Sequence, residues 1–187
     1  MRIKMKYIHA IAMAMIIAAV SCSGDGMHST RRDHSFADTK KYEKMLENPE
    51  RNSWQKPDEV LARMSLKKGD VVADIGAGTG YFTRRFAKAV APDGRVTGFD
   101  SEPNMVEYMK NDAKRLGYSN YHAARVEPKQ PEITGGAFSV IFMCNTYHHV
   151  VDRVPFLKAI ARGLRPGGRI IVLDQKMEVK EGPPKRF

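Results

Sequence analysis

Residues Val71 to Tyr81 read VVADIGAGTGY, and this stretch decides the fold. Five residues suited to a buried strand run into three glycines at alternating positions, and a helical pattern follows. Glycine has no Cβ, so the backbone of such a loop can approach a ligand closely. A dinucleotide site more often shows the spacing G-x-G-x-x-G, in which amides and a helix start meet a pyrophosphate. The spacing G-x-G-x-G therefore disfavours an NAD-dependent oxidoreductase.

The charge beside the loop indicates the kind of ligand. Asp74 stands two residues ahead of the first glycine, where a carboxylate would repel a pyrophosphate and attract a cationic group. S-adenosylmethionine fits this pattern, because its ammonium and sulfonium favour acceptors and its carboxylate suits amides at a helix start. We therefore predict that Asp74, Gly76, Ala77, Gly78 and Gly80 bind this cofactor. A tight turn without a ligand is the alternative.

The D-x-G-x-G-x-G loop resembles that of the class I methyltransferases that use S-adenosylmethionine, and the resemblance covers roughly Gln55 to Asp174. It implies an α/β, Rossmann-like, doubly wound parallel sheet and methyl transfer to a small-molecule acceptor. It also implies that Asp100, at the end of the second strand, accepts the ribose hydroxyls, and Ser101 beside it is a further candidate cofactor-binding residue. Capping of the next helix is the alternative role, which Ser101 could share. Glu127 is the nearest candidate for the adenine contact, and a solvent-facing loop glutamate is its alternative.

The segment NTYHH, which begins at Asn145, resembles the segment after the fourth strand in many methyltransferases of small molecules. The resemblance implies that Asn145 lies beside the methionine half of the cofactor. It makes Tyr147 and His148 the candidate catalytic residues on the acceptor side. The alternative is that the two histidines cap and pack the next helix. No metal site is predicted, because His148 and His149 are adjacent and lack a further ligand at metal-binding spacing.

Short β-rich runs alternate with helical patterns along the chain, which predicts βαβ units and a parallel sheet. The expected strands are 71–75, 95–100, 121–126, 138–144 and 169–174, and the expected helices are 57–66, 81–90, 103–116 and 152–164. The family fold continues with a further helix and two more strands, whereas residues 175–187 form only a short polar tail. The pattern thus predicts a core without its last strands, with an exposed edge on the fifth strand that favours self-association. A tail that folds back as a single covering strand through Met177 to Lys180, giving a stable monomer, is the alternative.

The N-terminus resembles the signal of a bacterial lipoprotein. Arg2, Lys4 and Lys6 precede an apolar run that is shorter than the about 20 residues of a membrane span, and small residues end it before Cys22. The resemblance implies lipidation of Cys22 and a membrane-anchored protein on the periplasmic or outer side. An uncleaved anchor is one alternative. Translation from Met27, which would make the protein cytoplasmic, is another.

The expected organisation is a signal peptide (1–21), a lipidated tether and N-terminal cap (22–56), a methyltransferase core (57–174) and a tail (175–187). The formal charge of +10 becomes +7 without residues 1–21, which hold three basic and no acidic residues. The basic residues lack interleaved aromatics, so lipid headgroups or solvent are favoured over nucleic acid as their partner. Two cysteines exclude a disulfide framework. The alternative function is a membrane-tethered protein that binds S-adenosylmethionine with little turnover.

Overall fold

A computed structural model describes residues 6–7, 39–129, 131–133 and 137–174 of the chain. The strands of this part are β1 (Lys6–Tyr7), β2 (Val71–Ile75), β3 (Arg95–Asp100), β4 (Tyr121–Arg125), β5 (Phe138–Cys144) and β6 (Leu164–Leu173). Its α-helices are α1 (Thr39–Leu46), α2 (Arg51–Gln55), α3 (Pro57–Met64), α4 (Thr83–Val90), α5 (Pro103–Leu116) and α6 (Arg153–Ala161). The strands form one parallel sheet in the order β1-β6-β5-β2-β3-β4. The predicted doubly wound α/β fold is confirmed.

The centre of the sheet is buried on both faces, as expected for parallel strands covered by helices. β2 and β5 lie side by side and carry almost continuous apolar runs, in which Val72, Ile141 and Phe142 are fully enclosed. On one face, the rings of Phe82 and Phe86 contact Phe142 with centroids 5.1 and 5.0 Å away. This packing fixes the start of α4 against the sheet and so positions the loop between β2 and α4.

Local signals set the bounds of α5 where the sequence predicts them. Pro103 occupies the first turn, where its missing N–H costs nothing, and Gly117 ends the helix with φ +68°. The predicted bounds of β2, β3 and β5 also agree with the structure. β4 ends one residue earlier than predicted, and α4 begins two residues later.

The boundary between α6 and β6 differs from the prediction. The helix was expected to run to residue 164 and the strand to start at 169, but β6 already begins at Leu164. Leu164 pairs with Phe138 and Arg169 pairs with Val140, so the residues between Leu164 and Arg169 form an irregularity in the ladder. Pro166, Gly167 and Gly168 therefore break the register within the strand and do not end the helix.

The outer edge of β6 also departs from expectation. Lys6 pairs with Ile171 and Tyr7 with Val172 in parallel, so two positions of this edge have a backbone partner, and the expectation of a wholly exposed edge is wrong. β1 lies inside the predicted signal peptide, and self-association through β6 stays a prediction. Cys22, Met27 and the tail lie outside the described residues. Among the helices that the structure describes, none has both the length and the apolar content needed to cross a bilayer.

Candidate active site

The glycine loop follows β2 and is held by backbone bonds to the neighbouring strand. The amides of Gly76 and Ala77 donate to the carbonyl oxygen of Phe99, at 2.8 and 3.1 Å. Gly76 has φ +69°, and a Cβ at this position would lie 2.6 Å from Thr146 Cγ2 and closer still to Thr146 Oγ1. The first glycine is therefore required both by its backbone conformation and by the segment that follows β5.

Asp100 lies against the loop, at the end of β3. Its Oδ2 accepts the N–H of Gly78 at 2.7 Å, and its Oδ1 accepts the N–H of Glu102 at 3.0 Å. Burial raises the pKa of this carboxyl, and the bonds from the amides oppose that rise. A carboxylate has about four acceptor sites, so each oxygen can accept a further bond. Next to it, the backbone oxygen of Ser101 accepts Arg125 Nε at 3.1 Å.

Asp74 is enclosed at the carboxyl end of β2 and is only 2% exposed. Its Oδ2 accepts the hydroxyl of Thr83 at 2.7 Å, so the carboxyl is directed toward the first residue of α4. Burial raises the pKa of Asp74 to about 7, although the Thr83 bond and the charge of Arg51 oppose the shift. The predicted contact with the ammonium of the cofactor stays a prediction.

Two other predicted cofactor residues differ in their surroundings. Asn145 follows β5 with φ +51°, and its N–H donates to Leu173 at 2.9 Å. A non-glycine residue in this conformation is uncommon and marks a constrained turn, which here lies beside Thr146 and the glycine loop. Glu127 follows β4 with a side chain that is 74% exposed, and its described ion pair is a long one of 3.9 Å with Arg125. Glu127 therefore makes no described contact with the loop.

The candidate catalytic residues form a short 3₁₀ turn, Tyr147–His149. His148 is held by Asp174, which follows β6: Nδ1 lies 2.7 Å from Oδ1, and the His148 amide donates to Oδ2 at 3.0 Å. This arrangement leaves Nε2 as the ring nitrogen that can face a substrate. Tyr147 packs partly into the core, with the guanidinium of Arg153 over its ring at 5.2 Å.

An open groove of about 550 Å³ runs along the turn and the start of α6, lined by His148 to Pro155. Val151 and Val154 are 83% and 63% exposed in it. Two exposed apolar side chains thus lie beside the polar pair of His148 and Asp174. In the part of the chain that the structure describes, no group of three His, Cys, Asp or Glu residues is placed to hold a metal ion.

Helices α1 and α2, which we call the cap segment, lie over the glycine loop. A Cβ at Gly78 would be 3.2 Å from Leu46 Cδ1, at the end of α1. Arg84 of α4 fixes the segment through a bidentate ion pair with Glu47, at 2.7 and 2.8 Å. Arg51 of α2 is buried beside the loop. The sequence predicts a tether and cap over residues 22–56, and α1 and α2 both lie within that range.

Sequence reasoning missed Arg51, Thr146 and Asp174 as residues of this site. A sequence signal exists for two of them, Arg51 and Asp174. Arg51 and Gln55 stand four residues apart on the buried face of α2, ahead of the apolar positions of α3. Asp174 ends the strand next to β5, and the carboxyl ends of parallel strands meet at one edge.

A parallel sheet with this loop and an acid at the end of the next strand defines the class I fold of S-adenosylmethionine-dependent methyltransferases. Residues 66–184 match the family of methyltransferase domains, and the chain belongs to that family. Demethylmenaquinone methyltransferase of Staphylococcus aureus is 29% identical over 139 residues, which are 73% of this chain and 56% of the relative. The chain thus spans about half the length of this relative.

Solved structures show the same fold. A SAM dependent methyltransferase from Aquifex aeolicus is 29% identical, with a TM-score of 0.68 over 79% of this chain and 77% of the other. Phosphoethanolamine N-methyltransferase 2 of Haemonchus contortus, solved with S-adenosyl-L-methionine, is 24% identical, with a TM-score of 0.57 over 64% of this chain and 27% of the other. The second likeness supports the fold alone.

Proposed function

We propose that this protein transfers the methyl group of S-adenosylmethionine to a small-molecule acceptor. The observation that carries the proposal is the bond between Asp100 and the amide of Gly78, which joins the end of β3 to the glycine loop. This contact places a carboxylate with spare acceptor sites beside a backbone cradle. A diol and a neighbouring polar chain, such as the ribose and methionine of this cofactor, match that arrangement.

The residues present fit the cofactor. At Gly76 a side chain would collide with Thr146, so the loop is shaped to pass close to other groups. Asp100 would hold the ribose hydroxyls, and the loop from Gly76 to Gly80 would pass along the cofactor. Asn145, in its constrained turn after β5, would flank the methionine half. When bound, S-adenosylmethionine supplies an electrophilic methyl group for an in-line displacement.

His148 is the proposed base on the acceptor side. Asp174 binds its Nδ1, which favours the tautomer that carries a proton there and leaves Nε2 able to accept one. His148 Nε2 would accept the proton that the acceptor loses when its nucleophilic atom takes the methyl group. Alignment of the two reactants supplies most of the rate, and the base adds about 10² to 10⁴-fold.

The groove beside His148 suggests the chemical character of the acceptor. Val151 and Val154 are exposed there, and burial of such side chains by a ligand is favourable. The Staphylococcus aureus relative is named for a demethylmenaquinone. Both facts support an acceptor with an apolar body and an ionisable group that reaches His148.

Calorimetry on the full chain tests the cofactor, with S-adenosylmethionine, S-adenosylhomocysteine and NAD as ligands. We expect the first two to bind, NAD to bind far more weakly, and Asp100→Asn to weaken binding about 10-fold or more, since bonds to a charged group are worth about 1.5–3 kcal/mol. Tight binding of NAD without binding of S-adenosylmethionine would contradict the proposal.

Transfer of labelled methyl to a panel of hydroquinones, phenols and amines tests the reaction. His148→Gln and Asp174→Asn should lower kcat, by up to about 10⁴-fold for the histidine, with unchanged cofactor affinity. His122→Gln, on the exposed face of the edge strand β4, is the matched control. Cofactor binding with no transfer to any acceptor would instead favour a binding protein with little turnover.

A further inference from the structure

Arg51 is a buried cation that lacks a full set of partners. It is 9% exposed, and its guanidinium stacks on the ring of Tyr81 with Cζ 3.9 Å from the centroid. Nη1 donates to the backbone oxygen of Leu46 at 2.9 Å. Nε is enclosed and has no hydrogen-bond partner among the described residues. Buried donors are nearly always paired in folded proteins, so the unpaired Nε is a donor that a bound ligand can satisfy.

The charge of Arg51 is also unbalanced. Within the described ranges no carboxylate oxygen forms an ion pair with it at 4.0 Å or less. One oxygen of the nearby Asp74 accepts the Thr83 hydroxyl. Cys144 hydrogen-bonds Arg51, but burial raises the pKa of this thiol to about 12, so it brings no negative charge. A buried charge without a partner is costly, and an arginine keeps its charge. The surroundings of Arg51 therefore favour the binding of an anion.

The position of Arg51 indicates which anion it would bind. Asp100 ends β3 on one side of β2, whereas Cys144 ends β5 on the other side. Arg51 stacks on Tyr81 at the end of the loop and hydrogen-bonds Cys144 at the end of β5, so it lies at the β2–β5 side of the loop. A cofactor whose ribose rests on Asp100 and whose chain follows the loop toward β5 brings its amino-acid end to Arg51.

We propose that Arg51 binds the carboxylate of the methionine moiety of S-adenosylmethionine, an inference that rests on the proposed function. A carboxylate presents two oxygens to the planar guanidinium fork, so one oxygen satisfies Nε and the other meets a terminal nitrogen. Arg51 lies outside the residues that match the methyltransferase family. Because Arg51 also holds Leu46, whose side chain covers Gly78, the cap segment becomes part of the cofactor site.

The test compares ligands with and without the carboxylate on the full chain. The ligands are S-adenosylmethionine, decarboxylated S-adenosylmethionine and 5′-methylthioadenosine, and the readout is the dissociation constant by calorimetry. We expect the wild-type protein to prefer S-adenosylmethionine. Arg51→Gln should weaken its binding about 10- to 100-fold, as for the loss of charge-assisted bonds. The same variant should change the affinity for the other two ligands by no more than about 2-fold. Arg51→Lys keeps the charge but loses the planar guanidinium group, so its affinity for S-adenosylmethionine should lie between those of the wild type and Arg51→Gln.

Arg63→Gln is the matched control, because Arg63 is an exposed arginine of α3 paired with Glu59, and it should change none of the three affinities. Equal binding of S-adenosylmethionine and its decarboxylated form by the wild type overturns the proposal. So does an equal loss of all three ligands in a folded Arg51→Gln, which indicates a structural role. If that variant fails to fold, the wild-type comparison and Arg51→Lys still decide. Failure of the wild type to bind any of the three would contradict the proposed function itself.

Discussion

Asp74 occupies an environment that opposes its charge. Its carboxyl is enclosed, and burial raises its pKa from the usual 3.8 to about 7. A raised pKa means that the folded state binds the proton more tightly than the unfolded chain does. The stabilisation from the protonated carboxyl is thus fully present below pH 3.8 and is lost as the pH rises toward 7.

We therefore expect the free energy of unfolding to fall between about pH 4 and 7, by up to about 1.4 kcal/mol per pH unit from this group. Asp74→Asn should remove that part of the slope, because an amide does not titrate. Urea denaturation at several pH values measures it, and Asp93→Asn, an exposed acid in the turn before β3, is the control. Parallel curves for wild type and Asp74→Asn would show that Asp74 titrates alike in both states.

Single residues differ in how far the sequence could predict them. The contact between Asp100 and the glycine loop follows from the strand order of the class I methyltransferase fold, and in the structure Asp100 accepts the N–H of Gly78. The pairing of His148 with Asp174 joins residues 26 positions apart, and no local pattern specifies it. Arg51 was missed for a related reason: a charged residue in a polar segment suggests solvent, and only the tertiary packing on Tyr81 buries it.

At the scale of elements, the glycine loop is held by what surrounds it as much as by its own sequence. A side chain at Gly76 would meet Thr146, which follows β5, whereas a Cβ at Gly117 would meet nothing within 4 Å. Both glycines have positive φ, +69° and +68°. A comparison of the two positions therefore separates backbone strain from collision.

Gly117→Ala should cost about 1–2 kcal/mol of unfolding free energy, the usual penalty of the left-handed conformation. Gly76→Ala should cost clearly more and should weaken binding of S-adenosylhomocysteine, because Thr146 must move. Adding Thr146→Ala should recover part of both losses, which a double-mutant cycle by denaturation and calorimetry detects. Equal costs at the two glycines, with no coupling to Thr146, would contradict the packing described for this loop.

Element bounds were predictable where the stop signals are local. α5 begins at a proline and ends at a glycine, and both act within one turn. The start of β6 was not predictable in this way, since Pro166, Gly167 and Gly168 are typical of a loop. Pairing with Phe138 overrides that preference and extends the strand to Leu164, because the ladder bonds of a neighbouring strand outweigh local propensity.

At the scale of the whole molecule, the segment that contains Lys6 and Tyr7 has two competing interpretations, an edge strand of the sheet and part of a signal peptide. Lys6 and Tyr7 pair with the outer edge of β6, yet they lie in the segment that resembles a signal peptide. Cleavage before Cys22 would remove β1 and leave Ile171 and Val172 at an unpaired edge. Unpaired edges favour association with another strand, so we expect a chain cleaved before Cys22 to self-associate more than the full-length chain.

A lipidation experiment distinguishes a cleaved signal peptide from a retained edge strand. The chain has two cysteines, Cys22 and Cys144, so Cys144 serves as the control. In a bacterial host grown with labelled fatty acid, we expect label on the wild type and on Cys144→Ala, and none on Cys22→Ala. The reason is that Cys22 follows a basic start, an apolar run and small residues, whereas burial raises the pKa of the Cys144 thiol to about 12 and makes it a poor nucleophile. The labelled protein should also be shorter by about the length of the segment that precedes Cys22, as intact mass would show. Label that persists in Cys22→Ala, or an unlabelled wild type of full length, would contradict the lipoprotein interpretation and would leave β1 in place on the edge of the sheet.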